Sequence, residues 1–156
     1  MIRAAKISDY RAMDDIFRAS AKALCASDYG SEVIEAWAGK PWPERFVRGA
    51  EDGDKQYVTV LEDGLVCFGV LNVEKRLLVS LFVSPGCVGK GVGQAMLEFL
   101  FEKARAADVK VLLVDSSLNA ADFYVRNGFV EQHRSEFTTY NGTVLPSVHM
   151  ECVLNT

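Results

Sequence analysis

Residues 81 to 93 read Leu-Phe-Val-Ser-Pro-Gly-Cys-Val-Gly-Lys-Gly-Val-Gly, an apolar run that passes straight into a turn with glycine at 86, 89, 91 and 93. Glycine leaves the backbone bare, so successive N–H groups can be approached closely. Where a helix begins, those amides and the helix dipole together favour an anion. A pyrophosphate is the group such a turn suits. It is not a P-loop, because Gly89-Lys90 is followed by Gly91 rather than Ser or Thr and the upstream glycine spacing is missing. Nor is it the dinucleotide fingerprint, since the glycines follow G-x-G-x-G and no opening βαβ unit carries them. The alternative is a purely structural turn, in which the glycines permit a tight bend and close packing of the helix. Cys87 beside the turn reads as a small residue rather than a reactive thiol.

The turn needs a strand before it and a helix after it, and the pattern supplies both. Leu77 to Val83 is a strand, and Val92, Ala95, Met96, Phe99, Leu100 and Ala104 fall on one face of a helix whose other face carries Gln94, Glu98, Glu102 and Arg105. Upstream, Ile2 to Ala5 is a short strand. Ser8 or Asp9 can cap a helix through Met13, Ile16, Phe17, Ala21 and Leu24. Ser31 can cap a shorter helix through Trp37, and Pro41 and Pro43 break the chain before Glu44 to Val47 resumes a helical pattern. Tyr57 to Leu61, a turn at Asp63-Gly64, Leu65 to Val73, a charged turn at Glu74-Lys75-Arg76 and Leu77 to Val83 make three consecutive antiparallel strands.

Downstream, Val111 to Val114 is a continuous apolar strand of the buried type, and Asn119 to Arg126 is a short helix. Phe129 to Tyr140 and Val144 to Leu154 form a hairpin closed at Asn141-Gly142, its second strand interrupted by Pro146. The fold class is α/β (α+β): a mixed, mostly antiparallel sheet flanked by helices, with the strand after the main helix parallel to its predecessor. Ligands bind outside the carboxyl ends of parallel strands, which here means near Val83 and Val114.

Composition narrows the class. The 156 residues are 49% hydrophobic and 24% charged, with four prolines and no compositional break, so residues 1 to 156 read as a single domain. No apolar run approaches a membrane span and the first residues lack a signal-peptide core, so no membrane partner and a cytoplasmic location are expected. A formal charge of −4 argues against a nucleic-acid partner. Four separated cysteines (Cys25, Cys67, Cys87, Cys152) and two histidines (His133, His149) show no ligand spacing, so reduced thiols and no metal are expected. The two histidines lie on the last two strands and could carry protons, although a lone strand histidine is more often an ordinary surface or edge position.

Val83 and Pro85, then Gly91 and Gly93, resemble the signature of the GNAT (N-acetyltransferase) superfamily, in which V-x-P is followed by (Gln/Arg)-x-x-Gly-x-(Gly/Ala). Ser117 to Phe129 is similar to a second family stretch, approximately N-x-x-A-x-x-x-Y-x-x-x-G-F, at Ala120, Tyr124, Gly128 and Phe129. The resemblance covers almost the whole chain. It implies acetyl-coenzyme A as co-substrate, held between splayed parallel strands. Leu81, Phe82 and Val83 would lie along the pantetheine arm, Val88, Gly89, Lys90, Gly91, Val92 and Gly93 around the pyrophosphate, and Ser117, Ala120 and Phe123 beside the thiol end. Two positions depart from the family: Val88 stands where Arg or Gln is usual, and Ser117 where Asn is usual.

The resemblance also implies an acid. The family's tyrosine, here Tyr124, protonates the departing thiolate, which a phenol near pKa 10 can do at neutral pH. An amine acceptor is cationic in water and must lose a proton, for which the carboxylates of Glu74 and Asp115 are the candidates. The segment Ser27 to Trp37 resembles the opening of a bacterial GNAT subgroup of undefined substrate, and the first helices of the fold roof the acceptor site, which makes Tyr29, Trp37, Trp42 and Phe46 residues that could line it, with Tyr29 and Trp37 the candidate contacts. The implied activity is acetyl transfer to a primary amine, on a small molecule or a peptide, by direct attack in a ternary complex, since no Cys or Ser has a His at recognisable spacing. The competing reading is a coenzyme A-binding module that senses acyl-coenzyme A without turnover, motivated by Val88 and Ser117. A nucleotide-binding interaction domain is disfavoured by the lack of a Mg²⁺-binding Ser/Thr or acidic partner. Homodimerisation through the terminal strands is compatible with the sequence.

Overall fold

The computed structural model describes residues 1–25, 28–62, 64–139 and 142–155. A seven-stranded sheet runs in the order β1-β2-β3-β4-β5-β7-β6. Its strands are β1 (Ile2–Ala4), β2 (Lys55–Leu61), β3 (Gly64–Asn72), β4 (Leu77–Val83), β5 (Val111–Ser116), β6 (Val130–Thr138) and β7 (Val144–Val153). The helices are α1 (Tyr10–Leu24), α2 (Ser31–Ala38), α3 (Glu44–Glu51), α4 (Val92–Ala106) and α5 (Ala121–Arg126). All neighbours pair antiparallel except β4 with β5. The expected turns at Asp63-Gly64 and Asn141-Gly142 each include a residue outside the described ones, as does the segment beginning at Ser27. Ser31 proves to be the first helical residue of α2, with Gly30 in the cap position.

Alternation along the strands sorts the apolar residues to two faces. Cys67, Leu71, Met96, Leu100, Leu112 and Val114 pack on the side of α4 and α5. Met13, Phe17, Trp37, Phe46, Phe68 and Val70 pack on the side of α1, α2 and α3. Helix α4 sits close against β3 because Gly69 has no side chain: a Cβ there would lie 2.9 Å from atoms of both Leu100 and Met96.

The parallel contact between β4 and β5 is short. Leu77 pairs with Leu113 and Leu78 with Val114, and the Leu113 amide donates to the Arg76 carbonyl at 2.8 Å. Beyond Leu78 the two strands part, while β4 stays paired with β3 as far as Val83 opposite Cys67. Residues 79 to 83 therefore have one edge in the sheet and one edge toward the gap. Pro146 does not interrupt its strand. It lies in the part of β7 beyond the last β5 pair, Ser116 with Val148, and faces Glu136 of β6, so its missing N–H costs no second ladder.

Candidate active site

Where β4 and β5 part, a cavity of about 400 Å³ opens toward α1, α2 and α3. Its floor is residues 77 to 82 of β4, and one wall is Val114, Asp115, Ser116, Ser117, Ala120 and Tyr124. The opposite wall is aromatic. Phe17 meets Trp37 edge-on at 5.1 Å and Phe82 at 5.2 Å, and Trp37 reaches Phe137 at 6.1 Å. Such edge-to-face contacts fix ring orientations and leave little freedom in the wall.

The polar groups sit at two ends. At one, Asp54, just before β2, lines the cavity with Arg45 and Gln56. Asn72, fully buried, donates its Nδ2 to Asp54 at 3.0 Å. Burial pushes the Asp54 carboxyl above its ordinary value, and the Asn72 hydrogen bond opposes that shift in part. Arg45 donates through Nε to buried Asp14 at 2.8 Å, and its guanidinium lies 4.4 Å over the Phe17 ring. Burial lowers its pKa, against the neighbouring Asp14 charge.

At the other end stand Asp115 and Tyr124. Tyr124 is 4% exposed, and its ring packs against Phe123 and Phe129 at 5.3 Å each. Burial raises its phenol well above the ordinary value of 10.0, so the group stays protonated throughout the neutral range. Asp115 accepts a hydrogen bond from Nδ1 of His149 at 2.9 Å.

The glycine turn follows β4. Gly89 at φ 82 and Gly91 at φ 81 occupy the left-handed region, and no side chain caps α4. Its first amides lack partners within the helix. A Cβ at either glycine would meet nothing within 4 Å, so the face they present is open. Gly93 differs, because its Cβ would stand 3.2 Å from Cγ2 of Val83 and 3.7 Å from the Phe123 ring. The conformational and the packing explanations thus apply to different glycines of one turn. Val88 is 49% exposed, and Lys90 is exposed beside it.

The candidates from the sequence separate. Leu81, Phe82, Ser117, Ala120, Tyr124, Asp115 and Trp37 all line the cavity. Glu74 does not: it is exposed in the turn before β4, at the end of that strand opposite Val83, because the charged turn faces outward from the sheet. Tyr29 is buried but lies behind Trp37, ring to ring at 6.0 Å. Its hydroxyl donates to the Pro146 carbonyl at 2.8 Å and accepts from the Leu118 amide at 3.1 Å. Asp54 and Arg45 went unread; Asp54 follows Gly53 and looks like a turn residue, and its burial arises only from the tertiary fold.

Among the described residues, no helix is long and apolar enough to cross a membrane. Residues 25–154 match the family described as acetyltransferase (GNAT) domain. No curated protein matches the chain. Among solved structures, the chain is similar to the GCN5-related N-acetyltransferase from Rhodopseudomonas palustris, with 29% identity over 99% of this chain and 95% of that one and a TM-score of 0.88. The PaiA N-acetyltransferase from Thermoplasma acidophilum in complex with coenzyme A shares the fold at 21% identity, covering 98% of each chain, with a TM-score of 0.78. The phosphinothricin acetyltransferase from Sinorhizobium meliloti in complex with AcCoA does so at 20% identity, covering 99% of this chain and 88% of that one, with a TM-score of 0.73. With that family match spanning most of its length and its strand, turn and helix in the family's arrangement, the chain belongs to the GNAT acetyltransferase family and is an acetyltransferase.

Proposed function

We propose that the protein transfers an acetyl group from acetyl-coenzyme A to a primary amine by direct attack within a ternary complex. The observation that carries this reading is the open edge of β4. Residues 79 to 83 present backbone groups to a gap that leads from the glycine turn to a cavity bearing a carboxylate and a phenol. An extended amide-bearing arm can pair with such an edge as an added strand. Leu81, Phe82 and Val83 take that role. The amides from Gly89 to Gly93, with Lys90, hold the pyrophosphate, and Val88 stands beside them. Ser117, Ala120 and Phe123 flank the thiol end, and Trp37 lines the acceptor side.

The residues divide the proton work. Asp115 takes a proton from the acceptor ammonium, freeing the nitrogen lone pair to attack the thioester carbon. As the carbon–sulfur bond breaks, the electron pair leaves with sulfur and Tyr124 delivers its proton there, and the second proton that the acylated nitrogen sheds restores the phenol. The burial that makes the phenol a weak acid also destabilises a thiolate in the same cavity, so donor and receiver are raised together. The test is calorimetric titration with acetyl-coenzyme A, followed by a thiol-release assay over a panel of amines. Binding heat with turnover on at least one amine supports the reading, and absence of binding refutes it.

A further inference from the structure

Asp115, His149 and His133 stand directly opposite one another on β5, β7 and β6, so their side chains share one face of the sheet. Nδ1 of His149 lies 2.9 Å from Oδ1 of Asp115. An ionised carboxylate can only accept, so Nδ1 carries the hydrogen and Nε2 of the neutral ring carries the lone pair. That Nε2 is 3.9 Å from Oε2 of Glu151, beyond hydrogen-bond reach. On its flat side the ring stacks on His133, with centroids 5.0 Å apart and planes 22° from parallel. A stack and a hydrogen bond together fix the imidazole in plane and rotation. The two side chains bridge inside and outside: Asp115 lines the cavity, while the His149 side chain is 20% exposed.

We propose that His149 is a positioning residue for Asp115, holding one carboxylate oxygen so that the other meets the acceptor ammonium, and setting the basicity of that carboxylate through its own charge. The proposal rests on the reading of Asp115 as the base. The titratable groups that face His149 are Asp115 on β5, Glu151 on β7 and His133 on β6. A neutral His149 orients Asp115 without cancelling its charge. An imidazolium puts a full positive charge beside that carboxylate and makes it a weaker base. The proton from the acceptor goes to Asp115, its former N–H electron pair stays on nitrogen, and the Nδ1 proton does not transfer.

The experiment compares the full chain with Asp115→Asn, His149→Leu and His149→Asn, using acetyl-coenzyme A and an accepted amine. Turnover and KM are measured from about pH 5 to about pH 9, the range in which histidine titrates. Asp115→Asn should lower turnover about 100-fold, the usual worth of a general base. His149→Leu should lower kcat about 10-fold without changing KM for acetyl-coenzyme A, a loss of orientation rather than of binding. The side-chain amide of His149→Asn places a donor where Nδ1–H stood. It should recover kcat to within about 3-fold while the acid limb of the profile disappears. If Asp115→Asn is impaired while His149→Leu keeps the kcat and pH profile of the parent, the His149 proposal is wrong and the base reading stands. If His149→Asn recovers nothing over His149→Leu, the positioning role is likewise overturned. Full turnover in Asp115→Asn would remove the base reading and the proposal with it.

Discussion

The Cβ that Gly93 lacks would stand 3.2 Å from Cγ2 of Val83, so the first turn of α4 rests directly on the end of β4. A larger side chain there must push strand and helix apart. Gly93→Val is expected to cost about 1–3 kcal/mol of stability by overpacking. Urea denaturation with the m-value unchanged checks this, and unaltered stability would show that the contact relaxes freely.

Gly91 tests the turn as an anion cradle. Its φ of 81 is tolerated by Asn and Asp better than by other side chains, so Gly91→Asn and Gly91→Asp carry a similar backbone strain. Only the second adds a negative charge. Calorimetry should find acetyl-coenzyme A binding weakened about 10-fold more by Asp than by Asn. Equal affinities would mean that the phosphates lie elsewhere.

Val88 offers the opposite sign of change. It is 49% exposed beside the turn, at the position where the family usually carries Arg or Gln. Val88→Arg should tighten acetyl-coenzyme A about 5-fold through a charge-assisted contact, and the gain should shrink as salt is raised. A gain that does not respond to salt would point to packing of the arginine stem.

Tyr124→Phe keeps the ring contacts to Phe123 and Phe129 and removes only the hydroxyl. Turnover should fall about 100-fold with acetyl-coenzyme A affinity little changed. Stability supplies an independent readout. Above about pH 10 the unfolded phenol ionises while the buried one keeps its proton, so the folded state binds more protons and stability falls as pH rises. The Phe variant should therefore lose stability less steeply in that range. Cys67, pushed up to about 12 by burial, contributes an alkaline decline of the same sign in both proteins.

Tyr29→Phe should lower the melting temperature more than it lowers acetyl-coenzyme A affinity. Its hydroxyl joins Pro146 of β7 to Leu118 before α5, and losing both bonds strands a carbonyl and an amide at a cost of about 1–3 kcal/mol. Thermal unfolding with and without acetyl-coenzyme A separates the two effects.

Local chemistry made the glycine-turn side of the candidate site legible. A strand ending in Val83, a bare turn and an amphipathic helix are neighbours in the chain, so spacing alone places them. Tyr124 and Asp115 were readable because each sits beside an element that the pattern defines. The far end of the cavity was not readable. Asp54 precedes β2 and Arg45 lies on α3, and their meeting depends on how α1, α2 and α3 lie over the sheet. Glu74 and Asp115 were equivalent as carboxylates at strand ends, and only the direction of β4 separates them. His149 became informative through cross-strand register, which a one-residue slip would have reversed.

The two-residue ladder between β4 and β5 has a mechanical consequence. On either side of it lie two half-sheets, β1-β2-β3-β4 and β5-β7-β6, and this seam is where shear between them would concentrate. A substrate arm laid along the free edge of β4 would become part of the fabric of the sheet and stitch the seam for as long as it stayed bound. Amide hydrogen exchange in β4 and β5 would then slow on binding, while the distant edge at β1 would not respond. Release of the spent carrier would reopen the seam, tying the stiffness of the molecule to its catalytic cycle.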